Sequence, residues 1–336
     1  MSSLANVTIH NSQFPESVYR ELLESFITRQ LNHKFLYDGA RQSQKWLAVQ
    51  KAHSPWATDA DCAETYHHAY VAATQQVRHG RVHVIGLGCG NGKKDARLIN
   101  LLRSSGREVF YTPCDVSTAM VLVARQTVLE TIPDDNCTPL VCDLTTAQDL
   151  PEVLHSRVTD CESRIVTFFG MIPNFEPRLV LPRLAALIQQ SDLLLLSANL
   201  VPCTDYAAGM KEILPQYDNP ITREWLLSFL LDLGVEPEDG ALRFTIEDGV
   251  EGLKRVVARF HYQRTSELRI DNERFVFAAG DSIRLFFSYR YTPDRLQQLL
   301  GQHNIILLGQ WVTKSGEEGV FICQRGYQRG NTFSVC

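Results

Sequence analysis

Apolar positions along this chain fall into blocks that switch between two periods. Over 15–29, Val18, Leu22, Leu23 and Phe26 recur at helical spacing, which predicts an amphipathic helix. Between 33 and 58 neither period dominates; the stretch reads as loop-like and holds Tyr37, Trp46 and Trp56. A helix over 59–79 leads into the mostly apolar run 82–87, a buried strand, and 96–102 are again apolar at helical spacing. Strands over 108–115, 140–144, 163–170 and 192–200 then alternate with helices over 118–132, 147–154 and 178–190. Such alternation predicts an α/β fold, a parallel sheet covered on both faces.

After a helix over 221–233 the rhythm changes. Segments 241–247, 253–263 and 267–279 read as successive strands with no helix between them. A strand over 282–291, a helix over 293–301 and a hairpin of 305–313 with 319–324 follow. An antiparallel insert ahead of the last strands predicts a second structural unit over the ligand crevice. The tail 326–336 is expected to fray.

The strand over 82–87 runs into a turn with Gly86, Gly88, Gly90 and Gly92, and then a helix. Glycine lets the backbone reach positive φ and lets a ligand approach without a Cβ in the way. The repeat is G-x-G-x-G. The dinucleotide fingerprint needs glycine where Asn91 or Lys93 stands, so a nicotinamide cofactor is disfavoured. A ligand without a pyrophosphate fits better, S-adenosylmethionine being the usual example. Taken alone, the turn is also compatible with a loop that binds nothing.

In an open parallel sheet the ligand lies beyond the carboxyl ends of the strands. Asp115 ends one strand, placed to accept from both hydroxyls of a ribose. Cys142-Asp143-Leu144 ends the next, where the carboxylate can accept from an adenine amino group and the leucine can pack on its ring. The strand over 163–170 ends in Phe168-Phe169-Gly170-Met171-Ile172-Pro173-Asn174-Phe175. Asp115 and Asp143 together with the glycine turn favour S-adenosylmethionine. Methyl transfer from a sulfonium needs alignment and a deprotonated amine, not a metal or a covalent nucleophile.

Composition narrows the classes further. A net charge of −5 offers no electrostatic reason for nucleic acid or an anionic membrane as partner. The longest apolar runs are too short to span a bilayer, and residues 1–13 are too polar for a signal peptide. Nine cysteines without a C-x-x-C pair fit reduced thiols in the cytoplasm and no metal site.

Several stretches, in order, carry a resemblance. They are Phe35-Leu36-Tyr37-Asp38, Gly88-Cys89-Gly90 with Lys94, Tyr111-Thr112-Pro113-Cys114-Asp115-Val116-Ser117, residues 169–175, Tyr217-Asp218-Asn219, Gly280-Asp281-Ser282-Ile283-Arg284 and Ser288-Tyr289-Arg290-Tyr291. Over roughly 34–324 the chain resembles the histidine-specific, S-adenosylmethionine-dependent Nα-methyltransferases of ergothioneine biosynthesis. It is similar also to their fungal relatives that N-methylate tryptophan or 4-dimethylallyltryptophan.

The resemblance implies a Rossmann-like methyltransferase core over 60–200 and 286–326, and an α+β substrate-binding lid over 1–59 and 201–285. It places Gly86, Gly88, Cys89, Gly90, Lys94, Asp115, Asp143 and Leu144 at the cofactor. Asn174 and Tyr217 match positions that hold the substrate α-carboxylate. Tyr37 matches a tyrosine near the reacting amine, able to relay its proton or face the ammonium through its ring. Trp46, Trp56, Gly170, Phe286 and Ser288 fall around the same pocket.

Two departures shift the expected substrate. The histidine enzymes carry Thr-Glu-x-Ser where this chain has Leu285-Phe286-Phe287-Ser288, so the glutamate that holds the imidazole is replaced by a ring. Ser54-Pro55-Trp56-Ala57-Thr58-Asp59 stands in place of a tyrosine-rich segment with an arginine. Both favour an amino acid with an aromatic or apolar side chain, tryptophan-like. Histidine, another small amine, and a non-catalytic cofactor-binding partner protein are the alternatives. A monomer is expected from the resemblance.

Overall fold

The computed structural model describes residues 4–78, 80–157 and 161–326. His79, at the end of the expected 59–79 helix, lies outside the described residues, as does the expected frayed tail from 327 onward. In chain order the first six strands are β1 (Thr8–Ile9), β2 (Arg81–Leu87), β3 (Glu108–Asp115), β4 (Leu140–Val141), β5 (Ser163–Phe169) and β6 (Leu193–Asn199). Then come β7 (Gly240–Asp248), β8 (Lys254–Tyr262), β9 (Ser266–Ile270), β10 (Glu273–Phe277) and β11 (Ser282–Arg290). The last two are β12 (Ile305–Val312) and β13 (Glu318–Arg325).

The main sheet runs β1-β4-β3-β2-β5-β6-β13-β12. Its first six strands are parallel, and β13 and β12 add antiparallel to the edge. Strand order reverses between β2 and β5, which opens a crevice beyond their carboxyl ends. Alternation sorts the core into two layers. Val82, Val84 and Leu195 face helices Ala60–Gln76 and Lys93–Ser104; Ile85, Leu87, Phe168 and Leu196 face helices Pro177–Leu187 and Pro293–Gln302.

A smaller antiparallel sheet, β11-β8-β7, packs one face against helices Pro15–Ile27 and Pro220–Asp232, with Phe26, Trp225, Ala258, Phe260 and Phe286 between them. The register of β11 on β8 slips between Arg284 and Phe286. This bulge at Leu285 aims Phe286 and Ser288 at the packed helices and leaves Arg284 on the other face. The boundary expected at 285/286 falls inside β11, which pairs with β8 on both sides of it, and β1 places residues 8–9 in the main sheet rather than in a lid.

Four expectations are corrected. The loop-like stretch 33–58 contains a helix, Ala40–His53, whose lysine, arginine and glutamine residues suit a helix without producing an apolar stripe. The single strand expected over 267–279 is the hairpin β9–β10, turned at Asp271, which takes φ 52°. Helix Tyr206–Tyr217 went unforeseen because Gly209 and Pro215 interrupt its pattern. The strand expected over 140–144 stops at Val141, and its helix starts at Leu150 rather than 147, because Asp143 turns the chain by accepting from the Thr145 backbone N–H at 2.8 Å.

Gly92 opens helix Lys93–Ser104 at φ 70°, and a Cβ there would lie 2.7 Å from the Ala124 backbone. Gly92→Ala is therefore expected to cost about 2 kcal/mol of folding stability. Urea unfolding checks this; a loss under about 0.5 kcal/mol would mean that the turn relaxes freely.

Candidate active site

The glycine turn is anchored from behind. Asp95, in the first turn of helix Lys93–Ser104, accepts from the Tyr111 hydroxyl at 2.6 Å and from Thr167 Oγ1 at 2.7 Å. Burial outweighs both bonds and pushes its carboxyl up to about 6. A Cβ on Gly86 would sit 2.3 Å from Asp95 Oδ2, so this glycine makes room for the brace. Gly88, at φ 61°, faces Met171, which would lie 2.6 Å from its Cβ. A Cβ on Gly90 would come no nearer than 3.6 Å to Gln50. The Cys89 N–H donates to Cys114 O at 3.2 Å, and burial holds its thiol well above the usual range.

Asp115 closes the turn. Its Oδ2 accepts from the Gly90 N–H at 3.2 Å and its Oδ1 from the Ser117 N–H at 3.0 Å, with burial pushing the carboxyl up to about 6. Helix Ala40–His53 is tied over the turn by two contacts. Gln50 accepts from Asn91 at 2.9 Å, and the Ser43 and Ser117 hydroxyls are 2.8 Å apart.

Asp143 is buried, with Leu144 beside it. Its Oδ1 accepts from Thr145, and its Oδ2 lies 3.7 Å from the ammonium of fully buried Lys34. Lys34 also pairs with Glu21 at 2.6 Å, and the Asp143 N–H donates to Ser12 Oγ at 3.0 Å. The N-terminal segment is thus strapped to the Asp143 loop. Lys94 turns away from it: its ammonium donates to the Tyr66 hydroxyl, lies 4.3 Å above that ring and sits 3.5 Å from Glu318. The Tyr66 hydroxyl is also bonded to Glu318 and Ser197, and Ser197 Oγ accepts from the Gly170 N–H at 2.8 Å.

Aromatic side chains from helices Ala40–His53, Tyr206–Tyr217 and Pro220–Asp232, from β11 and from Tyr37 meet beside this crevice. The Tyr37 ring lies 5.3 Å from Trp46 and 5.5 Å from Trp225; Trp46 and Trp225 are 4.8 Å apart. Phe286 is 5.7 Å from Trp225 and 6.3 Å from Tyr217. Burial, then the charge of Asp115, keeps the Tyr37 hydroxyl protonated. The Tyr217 hydroxyl is 2.9 Å from Ser288 Oγ, and Asn174 Nδ2 donates to Phe287 O at 2.9 Å, leaving its second hydrogen free. His33 stands edge-on to Phe175 at 4.5 Å, and burial pushes its imidazole down to about 4.

The structure brings Gly88, Cys89, Gly90 and Asp115 together on one side, and Tyr37, Trp46, Tyr217, Phe286 and Ser288 on the other. Trp56 is not among them: it packs with the Tyr66 and Tyr70 cluster, whereas Trp46 packs with Trp225. Trp225, His33, Lys34, Glu318 and Arg290 belong to this neighbourhood and were not anticipated. A signal for Arg290 was available, since 286, 288 and 290 share one strand face.

The profile of a family described as "histidine-specific methyltransferase, SAM-dependent" matches residues 14–325. N-methyltransferase imqF of Aspergillus flavus is 24% identical over 265 residues, covering 77% of this chain and 71% of that protein. Among solved structures, 1,6-didemethyltoxoflavin-N1-methyltransferase of Burkholderia thailandensis, with bound substrate and S-adenosylhomocysteine, aligns at TM-score 0.42 and 10% identity, over 85% of this chain and 87% of that one. The CcbJ methyltransferase of Streptomyces caelestis aligns at TM-score 0.39 and 11% identity, over 78% and 89%.

Proposed function

The chain belongs to the family of histidine-specific, S-adenosylmethionine-dependent methyltransferases, and from that premise we propose that it N-methylates the α-amine of an amino acid with an aromatic or apolar side chain. What carries the reading is the Tyr37, Trp46, Trp225 and Phe286 cluster facing the glycine turn. Three of these rings, Trp46, Trp225 and Phe286, offer no acceptor to an imidazole, since an indole N–H only donates and the Trp225 one already donates to Leu36 O at 2.8 Å; the Tyr37 hydroxyl is the acceptor the cluster keeps, for the amine.

The pocket suits the donor. Gly90 leaves its side of the cradle open, Gly88 makes room for the Met171 side chain, and the Asp115 carboxylate accepts two backbone N–H groups with lone pairs to spare for ribose hydroxyls. Asp143 keeps capacity at Oδ2 for an adenine amino group, with Leu144 alongside. Lys94, paired with Glu318, and Gly170, bonded to Ser197, stand at the far end. Bound there, S-adenosylmethionine supplies an electrophilic methyl group and leaves as S-adenosylhomocysteine.

This chain's own task is to hold a neutral amine in line with that methyl. A desolvated aromatic pocket lowers the pKa of an ammonium. Tyr37 stays protonated, so it orients the amine through its hydroxyl and ring rather than removing a proton. His33, pushed down to about 4, is a weak base; the proton leaves to water. Asn174 and Tyr217 orient the α-carboxylate. In this reading the helices after residue 200 and the strands β7–β11, with the N-terminal helices, form the substrate-side unit.

Asn174→Ala is expected to raise KM for the amino-acid substrate about tenfold or more, with S-adenosylhomocysteine affinity unchanged. Unchanged KM would reject the carboxylate role. The substrate itself is decided by incubating the protein and S-adenosylmethionine with the twenty amino acids, tryptophan derivatives and small amines, read by mass spectrometry. Methylation of histidine in preference to every aromatic amino acid would overturn the proposal.

A further inference from the structure

Arg290 is 6% exposed, yet no carboxylate among the described residues pairs with it. Arg255, Arg259 and Arg264 each have such a partner. Its donors go to neutral groups instead. Nη1 donates to Leu200 O at 3.1 Å and Nε to the Tyr217 hydroxyl at 3.1 Å, with the guanidinium 5.4 Å from the centre of the tyrosine ring. Burying an ion without a counter-charge is costly, and it is tolerated where an arriving ligand supplies one.

Strand geometry says which ligand. Phe286, Ser288 and Arg290 alternate onto one face of β11, so that face runs from ring to hydroxyl to cation. Tyr217 touches all three, through its ring at Phe286 and its hydroxyl at Ser288 and Arg290. We propose that Arg290 provides the positive charge for the substrate α-carboxylate, acting through the Tyr217 hydroxyl as a positioning residue. Because Nε occupies a lone pair of the tyrosine oxygen, the phenolic hydrogen, which donates to Ser288 Oγ at 2.9 Å, is the group that can turn to a carboxylate. A donor already accepting from a cation donates more strongly. On arrival of a carboxylate, Tyr217 and Ser288 both become donors to it, and the buried charge gains its partner. The inference rests on the amino-acid reading of the site.

The test compares tryptophan with tryptamine, its decarboxylated counterpart, on the intact protein. Dissociation constants are measured by calorimetry in saturating S-adenosylhomocysteine, alongside kcat and KM. Arg290→Gln is expected to weaken tryptophan binding about tenfold or more while moving tryptamine less than about twofold. The loss should fall on KM more than kcat, and Arg290→Lys should recover part of it. In a Tyr217→Phe background the glutamine substitution should add little, since the route to the ligand is already cut. Equal losses for both ligands, or none for tryptophan, would overturn the role. Arg290→Met, which buries no polar group, replaces the glutamine variant if that one does not fold. If the wild-type protein binds the amine but not the amino acid, the amino-acid reading itself falls; if it binds both equally well, only the carboxylate inference does.

Discussion

Asp115→Asn is expected to lower affinity for S-adenosylmethionine by about two orders of magnitude or more, since two hydrogen bonds to a charged acceptor are worth roughly 1.5–3 kcal/mol each. The amide fits badly as well as weakly. Two backbone donors, Gly90 and Ser117, address the two oxygens separately, so an NH2 group in either place would meet an N–H head-on. The unliganded protein meets the same clash but should lose less, because the asparagine also removes a buried charge. Burial holds the Asp115 carboxyl at about 6, above its unfolded value, so its contribution to stability is present at low pH and is lost as pH rises through about 6. Above that pH the native state carries a desolvated charge that the asparagine removes. Binding runs in the opposite sense. Ribose hydroxyls donate to the ionised form, so wild-type affinity is expected to fall as pH drops below about 6, and the asparagine variant should show no such step. Calorimetry across pH 5 to 8 measures both, with thermal unfolding as the control. A variant that binds within about threefold of wild type would remove Asp115 from the cofactor site.

How far the sequence foretold the site depends on the range of the interactions that build it. The glycine turn and Asp115 were legible because strand, turn and helix are neighbours in the chain, and the chemistry of a strand end follows from its last residue. Helix Ala40–His53 was not, because its lysine, arginine and glutamine positions carry no apolar stripe; it is held by Gln50 on Asn91 and Ser43 on Ser117, contacts made from the far side of the crevice. The strap of Ser12 and Lys34 onto Asp143 spans more than a hundred residues and leaves no periodic trace. Trp56 and Trp46 looked equivalent in sequence, ten residues apart. The short helix Pro55–Thr58 and the break at Ser54 send them to different cores. The facing of Phe286 depended on a bulge at Leu285 that no residue pattern announced.

That bulge makes Phe286 the position where selectivity is most exposed to change. Its ring is 7% exposed and fills the space between Trp225 and Tyr217, where the resembling histidine enzymes carry an acid. Phe286→Glu removes buried ring packing and introduces a desolvated carboxylate, for a stability loss of about 3 kcal/mol. The same carboxylate offers an imidazole N–H the acceptor it lacks, and leaving such a group unpaired costs roughly 1–3 kcal/mol. Activity on histidine is therefore expected to rise about tenfold to a hundredfold in kcat/KM while activity on an aromatic amino acid falls, reversing the preference. Phe286→Gln should move the ratio the same way by less, since its amide oxygen accepts without bringing a charge. The shift should grow as pH rises: a buried glutamate, with its pKa raised by desolvation, accepts from histidine more strongly once ionised. Competition between histidine and tryptophan in one reaction, read by mass spectrometry, gives the ratio without separate kinetics. If the ratio stays at its wild-type value in a folded glutamate variant, the side-chain pocket lies elsewhere than between Trp225 and Tyr217.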